Sequence, residues 1–331
     1  MPEQGRGIAI DRRMRFELAD SLQSIRNQLT NQASDNCIQQ HLASLQSVIT
    51  MLHSSERISP AVFGFYYDLV FTIFNGADNN IVNRKLKQLL ASAKQAEQSL
   101  TIKNLSNQDL GSEELVLLYR QCFDTDPEER YGFLGPSTDN SQRMKTSINT
   151  AMKLMRDAVP ALYAEINEII SEILLAAAPR TEDVARFDGA SSYQLWGAVV
   201  LNADNQKSDI QMLETLAHEC SHCLLFGLTI HEPLVRNDDE ERYQSPLRDD
   251  PRPMDGIFHA TFVASRMHYA LQEAMKSSLL TVDQKQECKL RLAGSRKAFY
   301  EGHAVLSELA EYSDTGREIM QNAFDYMQQT A

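Results

Sequence analysis

The sequence predicts a mainly α fold with a small β element, of the α+β class. Helical periodicity dominates both ends of the chain, whereas one central segment has the turn residues and β-branched apolar residues that are typical of strands. The chain has 331 residues, and roughly 150 residues per domain suggests about two domains. We expect a helical region over residues 1–140 and a second, mostly helical domain over residues 141–331.

Five segments place apolar residues on one face at helical spacing, and each predicts helix. They are residues 14–29, 79–100, 115–123, 145–178 and 280–327. Proline removes a backbone donor and clashes with the preceding turn, so the fourth segment should bend near Pro160. The fifth segment is long enough for two helices, with Gly302 or residues 313–316 as the break between them.

The β element is predicted between residues 184 and 202. Asp188-Gly189 is a hairpin turn signal, and residues 196–201 form an apolar run that suits a short buried strand. Farther along, residues 238–255 contain three prolines and many charges, which predicts a long loop. Loops longer than about 12 residues inside compact domains commonly have a function.

The charge balance disfavours several classes of partner. Lys and Arg number 32 and Asp and Glu 45, a formal net charge of −13, which repels phosphate backbones and anionic lipids. No run approaches the ~20 apolar residues that cross a bilayer, and the N-terminus lacks the apolar core of a secretory signal. Five cysteines do not make a disulfide framework. We therefore expect a cytoplasmic protein without nucleic-acid or membrane partners.

The sharpest local pattern is His218-Glu219-Cys220-Ser221-His222. Positions i and i+4 lie on one face of an α-helix, so two imidazoles there can converge on one metal ion with bonds of about 2 Å. The flanking apolar residues indicate a helix, and imidazoles within it need a partner because unpaired polar groups are costly to bury. The competing interpretation is a pair of ordinary core or surface histidines, since this spacing also arises by chance.

One interpretation of the pattern is a zinc peptidase with Glu219 as the general base. Such a site needs a third ligand, and the metzincin spacing fails because Leu225 and Leu228 occupy the required Gly and His positions. A second zincin type takes a Glu farther on, and Glu240 and Glu241 lie 18 and 19 residues past the second histidine. Both belong to an acidic run that would match almost any spacing, so a solvated acidic loop explains them equally well.

His259 is the other candidate third ligand. It begins an apolar stretch that looks like a helix packed beside the first, where a lone His is often a satisfied core residue. The preceding loop places Arg248 and Arg252 on a proline-stiffened segment, and rigid guanidinium groups suit bidentate binding of a carboxylate. The alternative is that both arginines only pair with the neighbouring aspartates.

Three sequence blocks occur in a characteristic order. They are residues 190–202 (ASSYQLWGAVVLN), residues 218–222 (HECSH) and residues 245–253 (SPLRDDPRP), the last running into Asp255-Gly256. In these blocks the sequence resembles the 2-oxoglutarate-dependent HExxH-type peptide β-hydroxylases, iron oxygenases that often occur in pathways that modify peptides as natural products. The resemblance covers roughly residues 157–270 and does not extend to residues 1–140.

The resemblance implies a helical metal-binding core with one Fe(II) ion. His218, His222 and His259 would bind the ion on one face, and Asp255 is the alternative third ligand. Three positions would then remain for 2-oxoglutarate and O2, which is the open facial arrangement of non-haem iron oxygenases.

The resemblance also implies a cofactor site and a substrate. The distal carboxylate of 2-oxoglutarate needs a cation, for which Arg252 is the first candidate and Arg248 the second. Glu219 would orient a ligand or a water molecule in place of acting as a hydrolytic base. The substrate would be an amino-acid side chain, in a peptide or in a free or carrier-bound amino acid.

Two other functions stay open at this point. One is the zinc-dependent peptidase, and the other is a helical interaction protein in which the HExxH pattern is incidental. The sequence does not decide the role of residues 1–140, which could bind a leader peptide, form a homodimer surface or support the core.

Overall fold

The structure is a computed structural model. It describes residues 1–32, 36–54, 57–94, 99–125, 130–179, 186–247 and 250–330, and within residues 31–40 it describes at most the backbone. The fold is 66% helical with a small four-stranded sheet, so the predicted α+β class is confirmed. Among the described residues, no helix combines the length and the apolar character that a bilayer span requires.

Helices occupy both ends of the chain, and the strands lie between them. The helices are α1 (Arg6–Gln32), α2 (Asn36–Leu52), α3 (Pro60–Phe74), α4 (Asn79–Ser92), α5 (Asn107–Leu110), α6 (Glu113–Phe123), α7 (Thr138–Ala158), α8 (Pro160–Ile169), α9 (Asp209–Leu228), α10 (Met254–Lys276), α11 (Val282–Leu309) and α12 (Asp314–Gln329). The strands are β1 (Thr101–Asn104), β2 (Glu172–Ala176), β3 (Gly189–Ser191) and β4 (Ala198–Asn202).

Two of the predicted helix breaks are confirmed. Pro160 is the first residue of α8, and α7 ends two residues earlier, so the predicted bend is a complete break. The break between α11 and α12 falls at residues 310–313, where the Ser313 side chain accepts a hydrogen bond from the Gly316 backbone and so starts α12. Gly302, the other predicted break, lies inside α11.

The helix predicted over residues 145–178 is wrong at its C-terminal end, because residues 172–176 form strand β2. All five residues of this strand are buried, as is typical of a strand with parallel neighbours. Such a strand lacks the alternation that distinguishes strands from helices in a sequence. The helix predicted over residues 79–100 also ends earlier than expected, at Ser92.

The predicted hairpin turn at Asp188-Gly189 is wrong in position. Gly189 is already the first residue of β3, and the chain reverses over residues 192–197 before it pairs antiparallel as β4. Gly197 in this connection has a φ of 85°, a left-handed backbone conformation that favours glycine. The strand predicted at residues 196–201 is confirmed as β4.

The four strands form one sheet in the order β1-β2-β4-β3. Its first three members are parallel, and β3 is the antiparallel edge. At the start of β2 the buried carboxylate of Glu172 accepts hydrogen bonds from Tyr119 Oη and Lys103 Nζ. These donors satisfy a charge that would otherwise be costly to bury.

The chain divides into two compact units. One consists of residues 1–7, 143–166 and 206–331, and the other of residues 8–142 and 167–205. The first unit contains α9 to α12, and the second contains the sheet. The chain thus alternates between the units, whereas the sequence predicts a single boundary near residue 140.

Candidate metal centre

Helix α9 contains both histidines of the HExxH pattern, as predicted. The Ser208 side chain accepts a hydrogen bond from the Gln211 backbone, and the Gln211 side chain accepts one from the Ser208 backbone. This capping box fixes the first turn of the helix. Farther along, His218 and His222 lie one turn apart, and the His218 side chain is only 26% exposed.

Helix α10 packs against α9 and brings a second set of side chains to the histidines. Asp255 and His259 lie one turn apart on α10, and Met267 lies about two turns farther along, roughly 80° round the helix from His259. His259 contacts His222, and Met267 contacts His218. The structure therefore brings the third predicted imidazole to the HExxH pair.

The two imidazoles of α9 converge on a common point. His218 Nε2 and His222 Nε2 are 3.2 Å apart, and the ring planes are inclined at 69°. Two nitrogens bound to one ion by bonds of about 2.1 Å are separated by roughly 3.0–3.5 Å. The spacing of this pair thus fits two ligands of the same metal ion.

The contact between His222 and His259 has a different geometry. His222 Nδ1 lies 2.9 Å from His259 Nδ1, the ring planes are within 15° of parallel, and the ring centroids are 5.2 Å apart. Because the centroids are much farther apart than the nitrogens, the rings meet edge to edge. This is the geometry of an N–H···N hydrogen bond.

The three imidazoles are therefore adjacent without surrounding one point. Over the described parts of the chain, no group of three or more His, Cys, Asp or Glu side chains has the spacing of a metal site. The reason is local, because His259 faces Nδ1 of His222 whereas His218 faces Nε2 of the same ring. The predicted three-histidine ligand set stays a prediction.

Burial favours the neutral form of His222 and of His259. It lowers the pKa of His222 well below the ordinary value, and the neighbouring His218 and His259 lower it further. Burial also lowers the pKa of His259, although the Asp255 carboxylate acts in the opposite direction. A neutral imidazole has one N–H and one lone pair, which is the form that binds metals.

Glu219 is buried beside the pair, with Oε1 4.0 Å from His218 Nε2. The interleaved Cys220 and Cys223 are buried free thiols. Burial, reinforced by nearby Cys223 and Glu219, raises the pKa of Cys220 well above its ordinary value, and burial with Glu219 raises that of Cys223. Both therefore stay protonated, and protonated thiols are poor metal ligands.

Arg252 lies at the entrance to α10. Its backbone pairs with that of Tyr243 through two hydrogen bonds of 2.8 Å, and its Nε lies 2.6 Å from Asp250 Oδ2. A Cβ on Gly256 would lie 3.3 Å from Arg252 Cβ, so the arginine stem lies against the first turn of α10. This turn leads directly into His259.

Three further residues are predicted for the site: Arg248, Glu240 and Glu241. Arg248 lies outside the described residues, so its predicted role stays a prediction. The Glu241 carboxylate accepts a hydrogen bond from Tyr243 Oη, and the Glu240 backbone donates one to Asp238. Both glutamates are exposed, as expected of an acidic loop.

Sequence reasoning missed two partners of the HExxH helix. Met267 Sδ lies 3.3 Å from His218 Nδ1, and the fully buried Arg266 donates a 3.1 Å hydrogen bond from Nε to Ser221 Oγ. The spacing of eight residues between His259 and Met267 is the signal that could have indicated Met267. A buried arginine has no comparable sequence signal.

Comparison with known proteins adds no relative. No protein-family model matches the chain, and no curated protein matches it.

Proposed function

We propose that this protein is an Fe(II)- and 2-oxoglutarate-dependent oxygenase that hydroxylates an amino-acid side chain. The substrate would be a peptide, or a free or carrier-bound amino acid. The observation that carries the proposal is the convergent Nε2 pair of His218 and His222, with a third imidazole in the same cluster.

Two of the three predicted donors have a spacing that fits a ferrous ion. His218 and His222 would hold it through Nε2, and His259 belongs to the same cluster. Neutral imidazoles are suitable donors for iron, and the low pKa of His222 keeps that ring in the metal-binding form. The chemistry that bound iron would supply is the hydroxylation of an unactivated C–H bond by O2, with one oxygen atom going to the substrate and the other to succinate as 2-oxoglutarate loses CO2.

The residues of the chain would position the reactants. The Glu219 carboxylate, buried 4.0 Å from His218 Nε2, is placed to accept a hydrogen bond from a water or ligand at the ion. Arg252 would bind the distal carboxylate of 2-oxoglutarate, for which a guanidinium offers two parallel donors. Its stem lies against the turn that leads into His259, and Asp250 would have to release its Nε contact.

The zinc peptidase receives less support from the same contacts. Its third ligand would be Glu240 or Glu241, and both lie exposed on the loop before α10, where Glu241 accepts a hydrogen bond from Tyr243. In the interaction-protein alternative the two Nε2 atoms, 3.2 Å apart, would share an N–H···N hydrogen bond, so the measured metal content separates the two interpretations. We also propose a cytoplasmic location, because the four described cysteines are all free thiols.

One experiment separates these functions. The protein is purified without oxygen, its bound metal is quantified, and succinate formation from 2-oxoglutarate is measured with Fe(II) and O2. We expect one iron per chain and succinate, and His218→Ala should lose both because it removes one of the convergent nitrogens.

Other outcomes would contradict the oxygenase. Stoichiometric zinc with peptide cleavage that is lost in Glu219→Gln would establish the peptidase. If the protein binds no stoichiometric metal after reconstitution, both enzyme functions are excluded and the interaction protein is the function that remains.

A further inference from the structure

Residues of helix α10 contact Nδ1 of both imidazoles of the HExxH pair. Met267 Sδ lies 3.3 Å from His218 Nδ1, and His259 Nδ1 lies 2.9 Å from His222 Nδ1. The two nitrogens that converge on each other are therefore both Nε2. Helix α10 thus leaves Nε2 of both histidines facing the shared position and contacts Nδ1 of each.

This arrangement matters because a neutral imidazole has only one proton. If the proton is on Nδ1, the lone pair is on Nε2 and can bind a metal; if it is on Nε2, that nitrogen is blocked. Metal-binding histidines normally donate their other N–H to a neighbouring acceptor, which fixes both the tautomer and the ring orientation.

The contacts of His222 favour one direction of donation. When His222 donates from Nδ1 to His259 Nδ1, the His259 proton must be on Nε2, which faces Asp255 Oδ2 at 3.7 Å. That places a positive N–H edge beside a carboxylate. The opposite direction would place a lone pair of His259 beside the Asp255 carboxylate, which is repulsive.

The same tautomer follows for His218. A thioether sulfur accepts hydrogen bonds weakly and donates none. The contact with Met267 Sδ therefore favours the N–H at His218 Nδ1 and the lone pair at Nε2. The two Nε2 lone pairs would then lie 3.2 Å apart, an arrangement that is repulsive without a cation and that a shared metal ion would stabilise.

We infer that His259 and Met267 are positioning residues of the proposed metal centre, each of which engages Nδ1 of one HExxH imidazole and directs its Nε2 lone pair toward the shared metal position. Asp255 in turn orients His259. The inference rests on the proposed function, and it differs from the family resemblance, in which His259 is itself a ligand.

Asparagine at position 259 separates the two roles. Its side-chain oxygen can occupy the place of Nδ1 and accept the hydrogen bond from His222, whereas an amide is a poor ligand for a transition metal. Alanine removes both properties. The full-length protein and its variants are titrated with Co(II), an air-stable probe of the ferrous site, and the dissociation constant is read from the visible spectrum.

We expect His259→Ala to weaken Co(II) binding by about 10–100-fold, the usual effect of removing an outer partner of a metal ligand. His259→Asn should recover most of this loss, and both variants should still saturate at one Co(II) per chain. His222→Ala, which removes a proposed ligand, should abolish stoichiometric binding. If His259→Ala and His259→Asn abolish binding equally, His259 is a ligand and the inference is wrong.

Met267 is tested by Met267→Leu, which keeps the volume and removes the acceptor. We expect Co(II) affinity to fall about threefold, as for the loss of one weak hydrogen bond. Met320→Leu is the matched control, because Met320 is a buried methionine on α12. Equal affinities of the Met267 variant and the control would remove Met267 from this role.

A measurement on the wild type keeps the inference falsifiable even if a variant does not fold. In the Zn(II)-loaded protein with ¹⁵N-labelled histidine, His218 and His222 should show metal-bound Nε2 and protonated Nδ1, and His259 should show no metal-bound nitrogen. A metal-bound nitrogen on His259 would overturn the inference and leave the oxygenase intact. A wild type that binds neither Co(II) nor Zn(II) would overturn the metal centre and the inference together.

Discussion

The chemistry of single residues in the candidate centre depends on which atom each neighbour contacts. His222 contacts one imidazole through Nε2 and another through Nδ1, so its two nitrogens have different tasks. Arg252 is similarly divided between an ion pair with Asp250 and a stem held against Gly256. The identity of a residue alone therefore does not determine what it can bind, because the orientation of its polar atoms also matters.

We predict that Arg252→Ala raises the concentration of 2-oxoglutarate required for half-maximal succinate formation by about 10–100-fold, because a charged hydrogen bond contributes roughly 1.5–3 kcal/mol. Co(II) affinity should be nearly unchanged, since Arg252 is not one of the proposed metal ligands and its Nε is paired with Asp250. The measurements are succinate formation and the Co(II) titration.

The matched control for this variant is Arg236→Ala, an exposed arginine of the same loop region. An unchanged requirement for 2-oxoglutarate in Arg252→Ala would exclude Arg252 from the cofactor site.

At the scale of elements, close packing of α11 on α10 explains why Gly302 lies inside a helix. A Cβ on Gly302 would overlap Thr261 Oγ1 of α10 and lie 3.0 Å from Pro246 Cγ. Gly294 of the same helix has open space around it. The glycine at position 302 therefore serves the approach of two helices and does not end one.

We predict that Gly302→Ala destabilises the protein by about 1–3 kcal/mol through overpacking, although alanine favours helix. Gly294→Ala is the matched control in α11 and should stabilise by up to about 1 kcal/mol, since only the helix propensity changes. Urea unfolding of both variants measures these effects. A stabilising Gly302→Ala would show that α10 and α11 are packed less closely than described.

At the scale of the whole molecule, buried charges join stretches that are far apart in the sequence. Glu165 Oε2 accepts from Arg6 Nε at 2.9 Å, and Glu165 Oε1 pairs with Arg266, which also reaches Ser221 of α9. These residues come from the three separate stretches that make up one compact unit. The network thus connects the HExxH helix and α10 to the rest of their unit.

We predict that Glu165→Gln destabilises the protein by about 3 kcal/mol at neutral pH, because it leaves the buried guanidinium of Arg266 without its counter-charge. Burial alone would raise the pKa of Glu165, but Arg266 and Arg6 outweigh it and hold the pKa below its ordinary value. The ionised carboxylate therefore stabilises the fold above the pKa of the unfolded chain, and this stability is lost as the pH falls through the lower, folded-state pKa.

Urea unfolding at neutral and at successively lower pH measures this effect. The difference between wild type and Glu165→Gln should narrow as the pH falls. Glu308→Gln, at an exposed position of α11, should show little difference at any pH. If the difference in unfolding free energy between wild type and Glu165→Gln stays constant with pH, the carboxylate charge does not have the proposed stabilising role.

The sequence by itself determined the class of fold, the helix that contains the HExxH pattern and the helix that contains His259. Local periodicity, caps and prolines decide these features, and they act over one or two turns of chain. The same local signals failed for β2, because a strand buried on both faces has no alternation, and for Gly302, because a helix break and a close approach both require glycine.

Only the tertiary structure decided which atoms meet. The packing of α10 on α9 places Met267 on His218 and His259 on Nδ1 of His222, and long-range pairing places Arg266 on Glu165. These contacts depend on the separation and rotation of helices to within an ångström, since hydrogen bonds weaken steeply with distance and angle. A linear pattern of residues does not contain that information.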